Sequence, residues 1–249
     1  MGISDKPALI LLHGFCENSC LWEHVVPHLT YKGRIITPDL PGFGNSNLLF
    51  NEFSLDDIST YLYESLKKDS VSSCICIGHS LGGYITLAFK RNYPEFVKKI
   101  GLVHSTAFED TPEKKEGRNK LIDFLNENPS SRFLSTFAYT LFCETNKSRL
   151  SNEIEKVVHM SDGLAGTTIQ AYATAMRDRR NSIDVLTNEE SPLFIAGECD
   201  NSVPVEMSKK QIALINNKKH CYILENVAHM GMYENSNTVI GAIDKFLKE

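Results

Sequence analysis

The chain lacks any apolar run of membrane-spanning length and any block of like charge. A helix needs about 20 apolar residues to cross a bilayer, so no helical span and no membrane association are expected. The basic pairs Lys114-Lys115, Lys209-Lys210 and Lys218-Lys219 are short and interleaved with acids, which leaves no footprint for nucleic acid. Internal repeats and low-complexity segments are missing too. The opening Met-Gly-Ile-Ser-Asp-Lys-Pro has no charged region followed by an apolar one, and Lys6 stands where a myristoylation signal carries Ser or Thr. The expected location is cytoplasmic.

Cysteine is present but badly arranged for bridging. The seven residues are odd in number and scattered, with Cys74 and Cys76 on one face of one strand, so reduced thiols in a reducing compartment are expected. Spacing alone admits a metal site at His13, Cys16, Cys20 and His24, but zinc sites use tighter ligand pairs. No metal and no cofactor are expected. Cys16 and Cys199 adjoin candidate site residues, and the plainer reading makes them small apolar fillers. With 42% hydrophobic residues and a net charge of −5 from 26 basic and 31 acidic side chains, the 249 residues suit one globular domain with an insertion.

What the chain does contain is an alternation. Short apolar runs at 9–12, 34–37, 74–77, 100–104, 193–196 and 220–224 read as strands buried on both faces. Helical patterns lie between and after them at 21–29, 55–67, 81–92, 205–215 and 239–247, the second opening on a capping box from Ser54 to Asp57. Strands alternating with helices imply an α/β fold with a doubly wound, mainly parallel sheet of about six strands. From 107 to 190 the alternation stops, and helical patterns at 112–126, 132–143, 153–161 and 167–180 replace it. The expected division is a core of 1–106 and 191–249 with a helical insertion at 107–190.

The chemistry concentrates at Gly78-His79-Ser80-Leu81-Gly82, between a strand and a helix. This is a G-x-S-x-G nucleophile elbow, in which a tight turn needs glycine two residues either side of the serine and strains the serine backbone. The helix that follows directs its free N–H groups towards an anion forming there. A base and an acid follow in the order such a triad uses, serine, then carboxylate, then histidine. Asp200 lies in the loop after strand 193–196, and His229 in the loop after strand 220–224. Glu198, two residues from Asp200, is the competing acid. The position after strand 100–104 offers His104-Ser105-Thr106 and no carboxylate, which favours the Asp200 loop.

At these residues the chain resembles the α/β-hydrolase superfamily over nearly its whole length. The matching segments are His13-Gly14-Phe15, the stretch Asp39-Leu40-Pro41-Gly42-Phe43-Gly44-Asn45-Ser46, residues 78–83, residues 197–204 and Ala228-His229-Met230-Gly231. Within the superfamily these segments, with Trp22, look most like small capped carboxylesterases, the neighbourhood of the pimeloyl-carrier-protein methyl ester esterases and of the menaquinone-pathway hydrolases. The resemblance implies a serine hydrolase of small or medium carboxylic esters: Ser80 as nucleophile, His229 as base, Asp200 as the orienting acid, and the backbone N–H groups of Phe15 and Leu81 as oxyanion donors. Carbon–carbon hydrolysis or elimination with the same triad, and a ligand sensor that does not turn over, stay open.

The resemblance also makes 107–190 a cap, whose apolar Phe133, Phe137, Leu141, Tyr172 and Met176 are expected to wall an acyl pocket, with cap core as the alternative. Arg132, Arg149, Arg177, Arg179 and Arg180 read as a solvated face or as a docking surface for an acidic acyl carrier protein. The expected partner is a small-molecule ester, with an acidic acyl carrier protein at the cap as the further reading; nucleic acid and membrane are not expected partners. His13, Asp39 and His79 are read as loop hydrogen bonders, and Trp22 as core. The family's sheet usually begins with two antiparallel strands, for which the residues before Leu9 leave no room; the expected sheet is truncated, with strand 34–37 at its edge.

Overall fold

Residues 6–48 and 51–249 are described by the structure, a computed structural model. Strands β1 (Ala8–Leu12) and β2 (Ile35–Ile36) come first, followed by α1 (Leu55–Lys68), β3 (Cys74–His79), α2 (Leu81–Asn92) and β4 (Val97–Val103). Six helices then intervene: α3 (Pro112–Glu127), α4 (Ser130–Thr140), α5 (Glu144–Lys147), α6 (Ser151–His159), α7 (Gly166–Arg177) and α8 (Ile183–Thr187). The chain returns through β5 (Leu193–Gly197), α9 (Val205–Leu214), β6 (Cys221–Leu224), α10 (Gly231–Glu234) and α11 (Ser236–Leu247).

The six strands form one parallel sheet in the order β2-β1-β3-β4-β5-β6, as the alternation predicts. Period-two alternation sends Ile10, Leu12, Cys74, Cys76, Ile100 and Leu102 to one face, where they pack with α1 and α2. Leu9, Leu11, Ile75, Ile77, Val103 and Ile195 go to the other, against Trp22 and the α11 residues Val239, Ile243 and Phe246. Both faces are therefore covered, which is why these strands read as continuous apolar runs. At its β2 edge the sheet ends in a strand of two half-buried residues, too short to offer a long row of unpaired N–H and C=O groups.

Some boundaries differ from those expected. Residues 21–29 form two separate 3-10 turns, Ser19–Trp22 and Val26–His28, in place of one α-helix. Pro27 lacks an N–H, and its ring would clash with the Glu23 carbonyl of a continuous helix. The pattern at 132–143 becomes α4, which starts at Ser130 and stops at Thr140; Pro129 is its cap, and the Ser130 hydroxyl donates to the Leu164 carbonyl at 2.7 Å. By contrast α1 opens as predicted. The Ser54 hydroxyl accepts from the Asp57 N–H at 3.2 Å, and the Asp57 carboxylate accepts from the Ser54 N–H at 2.8 Å.

Candidate active site

The carboxyl ends of β1, β3, β4, β5 and β6 converge on one place, where an open α/β sheet binds its ligands. Ser80 follows β3 directly and has φ 49°, ψ −114°, a left-handed region costly for a residue with a Cβ. The turn explains its flanking glycines. A Cβ on Gly78 would lie 2.1 Å from the Gly82 backbone, and one on Gly82 would lie 2.5 Å from the Leu12 carbonyl oxygen. The strained elbow is held from outside. The Ser80 N–H donates to the Val103 carbonyl at 3.1 Å, and the Ser105 hydroxyl donates to the Ser80 carbonyl at 2.7 Å. Leu81 heads α2, so its N–H is among those a helix leaves without an internal acceptor.

The loops after β5 and β6 bring Asp200 and His229 together, with His229 Nδ1 2.7 Å from Asp200 Oδ2. The other Asp200 oxygen accepts from the Ser202 and Val203 N–H groups at 2.7 and 2.9 Å. Burial pushes the Asp200 pKa up, but the adjacent His229 and the hydrogen bonds outweigh it and hold the carboxyl well below the usual carboxylate range. Asp200 is thus a buried anion, able to fix the His229 tautomer with Nδ1 as donor and Nε2 free to accept. Glu198 is exposed and accepts from the Asn226 N–H at 3.3 Å.

Ser80 and His229 line a cavity of about 410 Å³ with Phe15. A strained serine after β3, a carboxylate after β5 and a histidine after β6 are the groups a nucleophilic hydrolase requires. The alpha/beta hydrolase fold family matches residues 7–236. The chain belongs to that family.

Among relatives in the family, the pimeloyl-[acyl-carrier protein] methyl ester esterase of Wigglesworthia glossinidia brevipalpis is 28% identical over 212 residues, covering 82% of this chain and 79% of that protein. Epoxide hydrolase 4 of Mus musculus is 24% identical over 270 residues, covering 100% of this chain and 75% of its own. A thermophilic esterase from Thermogutta terrifontis shares the fold, with a TM-score of 0.87, 24% identity and coverage of 98% of this chain and 90% of that one.

Of the apolar residues expected to wall the pocket of this α/β hydrolase, Phe133, Phe137, Leu141 and Met176 line the cavity. Phe137 packs edge-on against Phe15, with ring centroids 5.9 Å apart. Tyr172 is the exception and corrects the expectation. Its ring is fully buried against Phe43 and Phe53, and its hydroxyl donates to the Pro41 carbonyl at 3.0 Å. Tyr172 shares a helix face with Met176 but lies about 6 Å back along α7, over the Pro41–Phe43 loop and off the cavity. The five arginines are all engaged: Arg179 pairs with Asp110, Arg180 with Asp56, Arg177 with Asp178, Arg132 with Asn128 and Arg149 with Asn146.

His13 and Asp39 do the loop work expected of them. His13 Nε2 accepts from the Leu40 N–H at 2.9 Å, and Asp39 accepts from the N–H groups of Ser19 and Asn45. Among the described residues, no three His, Cys, Asp or Glu side chains come together as metal ligands.

Sequence reasoning missed Glu17. It is 1% exposed and lines the cavity, and one of its oxygens accepts from the Gly14 N–H at 2.6 Å and from His79 Nδ1 at 2.9 Å. His79 Nε2 lies 3.0 Å from the His229 carbonyl. A carboxylate at one nitrogen and a carbonyl at the other favour the doubly protonated His79 ring. Burial opposes that charge, but Glu17 raises the His79 pKa nonetheless, and His79 in turn lowers that of Glu17. The pair ties the Gly14-Phe15 loop, the elbow and the His229 loop together. In sequence, Glu17 sits among Cys16, Asn18 and Ser19 and looks like any surface-loop acid.

Proposed function

We propose that this chain is a serine hydrolase that cleaves a small or medium carboxylic ester through an acyl-enzyme on Ser80. The observation that carries the reading is the 2.7 Å contact between His229 Nδ1 and the buried Asp200 carboxylate, at a cavity that Ser80 also lines. In this reading His229 Nε2 takes the Ser80 proton as the hydroxyl oxygen attacks the ester carbonyl carbon. The N–H groups of Phe15 and Leu81 stabilise the tetrahedral oxyanion. Its collapse expels the alcohol, which leaves with the proton from His229. Water then attacks the acyl-enzyme, with His229 again as base, and frees the acid and Ser80. Asp200 stays ionised throughout and stabilises the His229 imidazolium that forms at each stage. The helices of 107–190 supply the hydrophobic wall through Phe133, Phe137, Leu141 and Met176, and so act as the cap. The methyl ester esterase named among the relatives supports an ester over other substrates of the same triad.

The test is turnover of p-nitrophenyl esters from acetyl to octanoyl, together with intact-mass detection of a covalent adduct with an alkyl fluorophosphonate. Hydrolysis, with loss of both turnover and adduct in Ser80→Ala, is the expected outcome. A folded wild-type protein that neither hydrolyses any of the esters nor forms the adduct overturns the proposal.

A further inference from the structure

A second, larger cavity lies behind the catalytic one. It measures about 790 Å³ and runs between α1 and α2 on one side and α3 and α7 on the other, lined by Phe53, Leu87, Ala88, Ile122 and Ala175 among others. Both cavities fall within the usual size range of small-molecule sites. Among the described residues, Tyr84 alone lines both.

The linings of the two cavities adjoin on α2, α3 and α7. On α3, Leu121 faces the catalytic cavity and Ile122 the second; on α7, Met176 faces the catalytic cavity and Ala175 the second. Tyr84, which lines both cavities, lies one turn after Ser80 on α2, its N–H donating to the Ser80 carbonyl at 3.3 Å. An acyl group on Ser80 therefore starts beside this ring.

The ring is also clamped. Tyr84 is 5% exposed, and the Arg179 guanidinium carbon sits 4.0 Å from the ring centroid, a cation–π contact in a largely desolvated place. Arg179 is itself held by an ion pair to Asp110 at 2.7 Å and by hydrogen bonds to the carbonyls of Met176 and Phe108 at 2.7 and 2.9 Å. Asp110 is completed by Arg118 at 2.9 Å. A side chain fixed from behind by a buried ionic group is a wall and not a swinging gate.

We propose that Tyr84 is the specificity-determining residue for acyl length: it confines the acyl group to the smaller cavity and shuts it out of the larger one. The proposal rests on the esterase reading for its substrate. The catalytic cavity then takes short and medium straight-chain acyl groups, and longer chains are rejected because their ends meet the Tyr84 ring. Removing the ring joins the two cavities. The second cavity has a charged and polar part, with Asp56, Arg91 and Arg179, and an apolar part at Phe53, Leu87 and Ala88; each further methylene buried against the apolar part gains up to about fourfold in binding.

The experiment compares kcat/KM across straight-chain p-nitrophenyl esters from acetyl to palmitoyl for the wild type, Tyr84→Ala and Tyr84→Phe. The wild type should pass through a maximum and decline. Tyr84→Ala should move the maximum to longer chains, with the gain approaching fourfold per added methylene over several carbons. Tyr84→Phe, which keeps the ring, should keep the wild-type profile. Tyr84→Leu, shorter and non-planar but apolar, replaces the alanine variant if that one does not fold. Calorimetric binding of hexanoate through myristate in a Ser80→Ala background gives a second readout that does not require turnover. There the longer acids should gain affinity only when the Tyr84 ring is removed. A folded Tyr84→Ala or Tyr84→Leu protein with the wild-type acid-binding profile overturns the partition. Loss of all ester turnover in the wild type, with the acid-binding shift intact, overturns the esterase reading and leaves the partition standing.

Discussion

His104 stands at the end of β4 with φ 47° and a fully buried ring, both of whose nitrogens lack a hydrogen-bond partner among the described residues. The nearest carboxylate oxygen, on Asp200, is 3.8 Å away, too far for a hydrogen bond. Burial is the main cause that lowers the His104 pKa from 6.5 to about 4; Asp200 opposes it, and the neighbouring His229 and His79 add to it. Because the folded-state value lies below the unfolded one, the unfolded chain takes up the proton first as pH falls. The stability tied to a neutral His104 is therefore complete above pH 6.5 and is lost as pH falls from 6.5 to 4. At about 1.4 kcal/mol per pH unit, that interval amounts to about 3 kcal/mol. His104→Asn removes the titrating group and keeps a residue type that tolerates positive φ. Urea unfolding of both proteins from pH 7.5 to 4 reads the difference. The variant starts less stable because it leaves a gap, and the advantage of the wild type over it should shrink by about 3 kcal/mol across the interval. Parallel stability curves would refute the reasoning, since a constant gap means that His104 does not titrate between the two states.

Two further outcomes follow from the site. Asp200→Asn should lower ester turnover by about 10⁴, the usual consequence of leaving the base in the wrong tautomer, while the exposed Glu198→Gln should change it little; steady-state rates in the reverse order would move the acid to Glu198. Phe137→Ala and Met176→Ala should each shift kcat/KM towards bulkier acyl groups, by about fourfold for each methylene newly accommodated, and unchanged profiles in folded variants would make these side chains helix packing and not pocket wall.

The features legible in the sequence are those decided over a few neighbouring residues. Period-two burial on both faces marks β1, β3 and β5 as unbroken apolar runs. The collision between residues two before and two after Ser80 demands Gly78 and Gly82 whatever surrounds them. The Ser54–Asp57 capping box closes within one helical turn. The order of Ser80, Asp200 and His229 could be read because each follows a strand, and parallel strands deliver their carboxyl ends to one side. Where local reasoning went astray at 21–29, the breaker, Pro27, was itself in the sequence and outweighed the apolar periodicity. What only the tertiary structure decided depends on distance across the chain. Glu17 becomes a buried anion because His79, 62 residues later, supplies its counter-charge. His104 loses its usual basicity because the packed strand ends bury its ring and hold Asp200 too far off to bond it. Tyr172 and Met176 share one helix face, yet the first packs on the Pro41–Phe43 loop and the second on the cavity, since α7 extends beyond the site. Tyr84 lines two cavities because α3 and α7, which begin 28 and 82 residues further on, carry the facing walls of both. The sequence by itself determined which atoms can do chemistry; the packing of distant helices decided how much room that chemistry has.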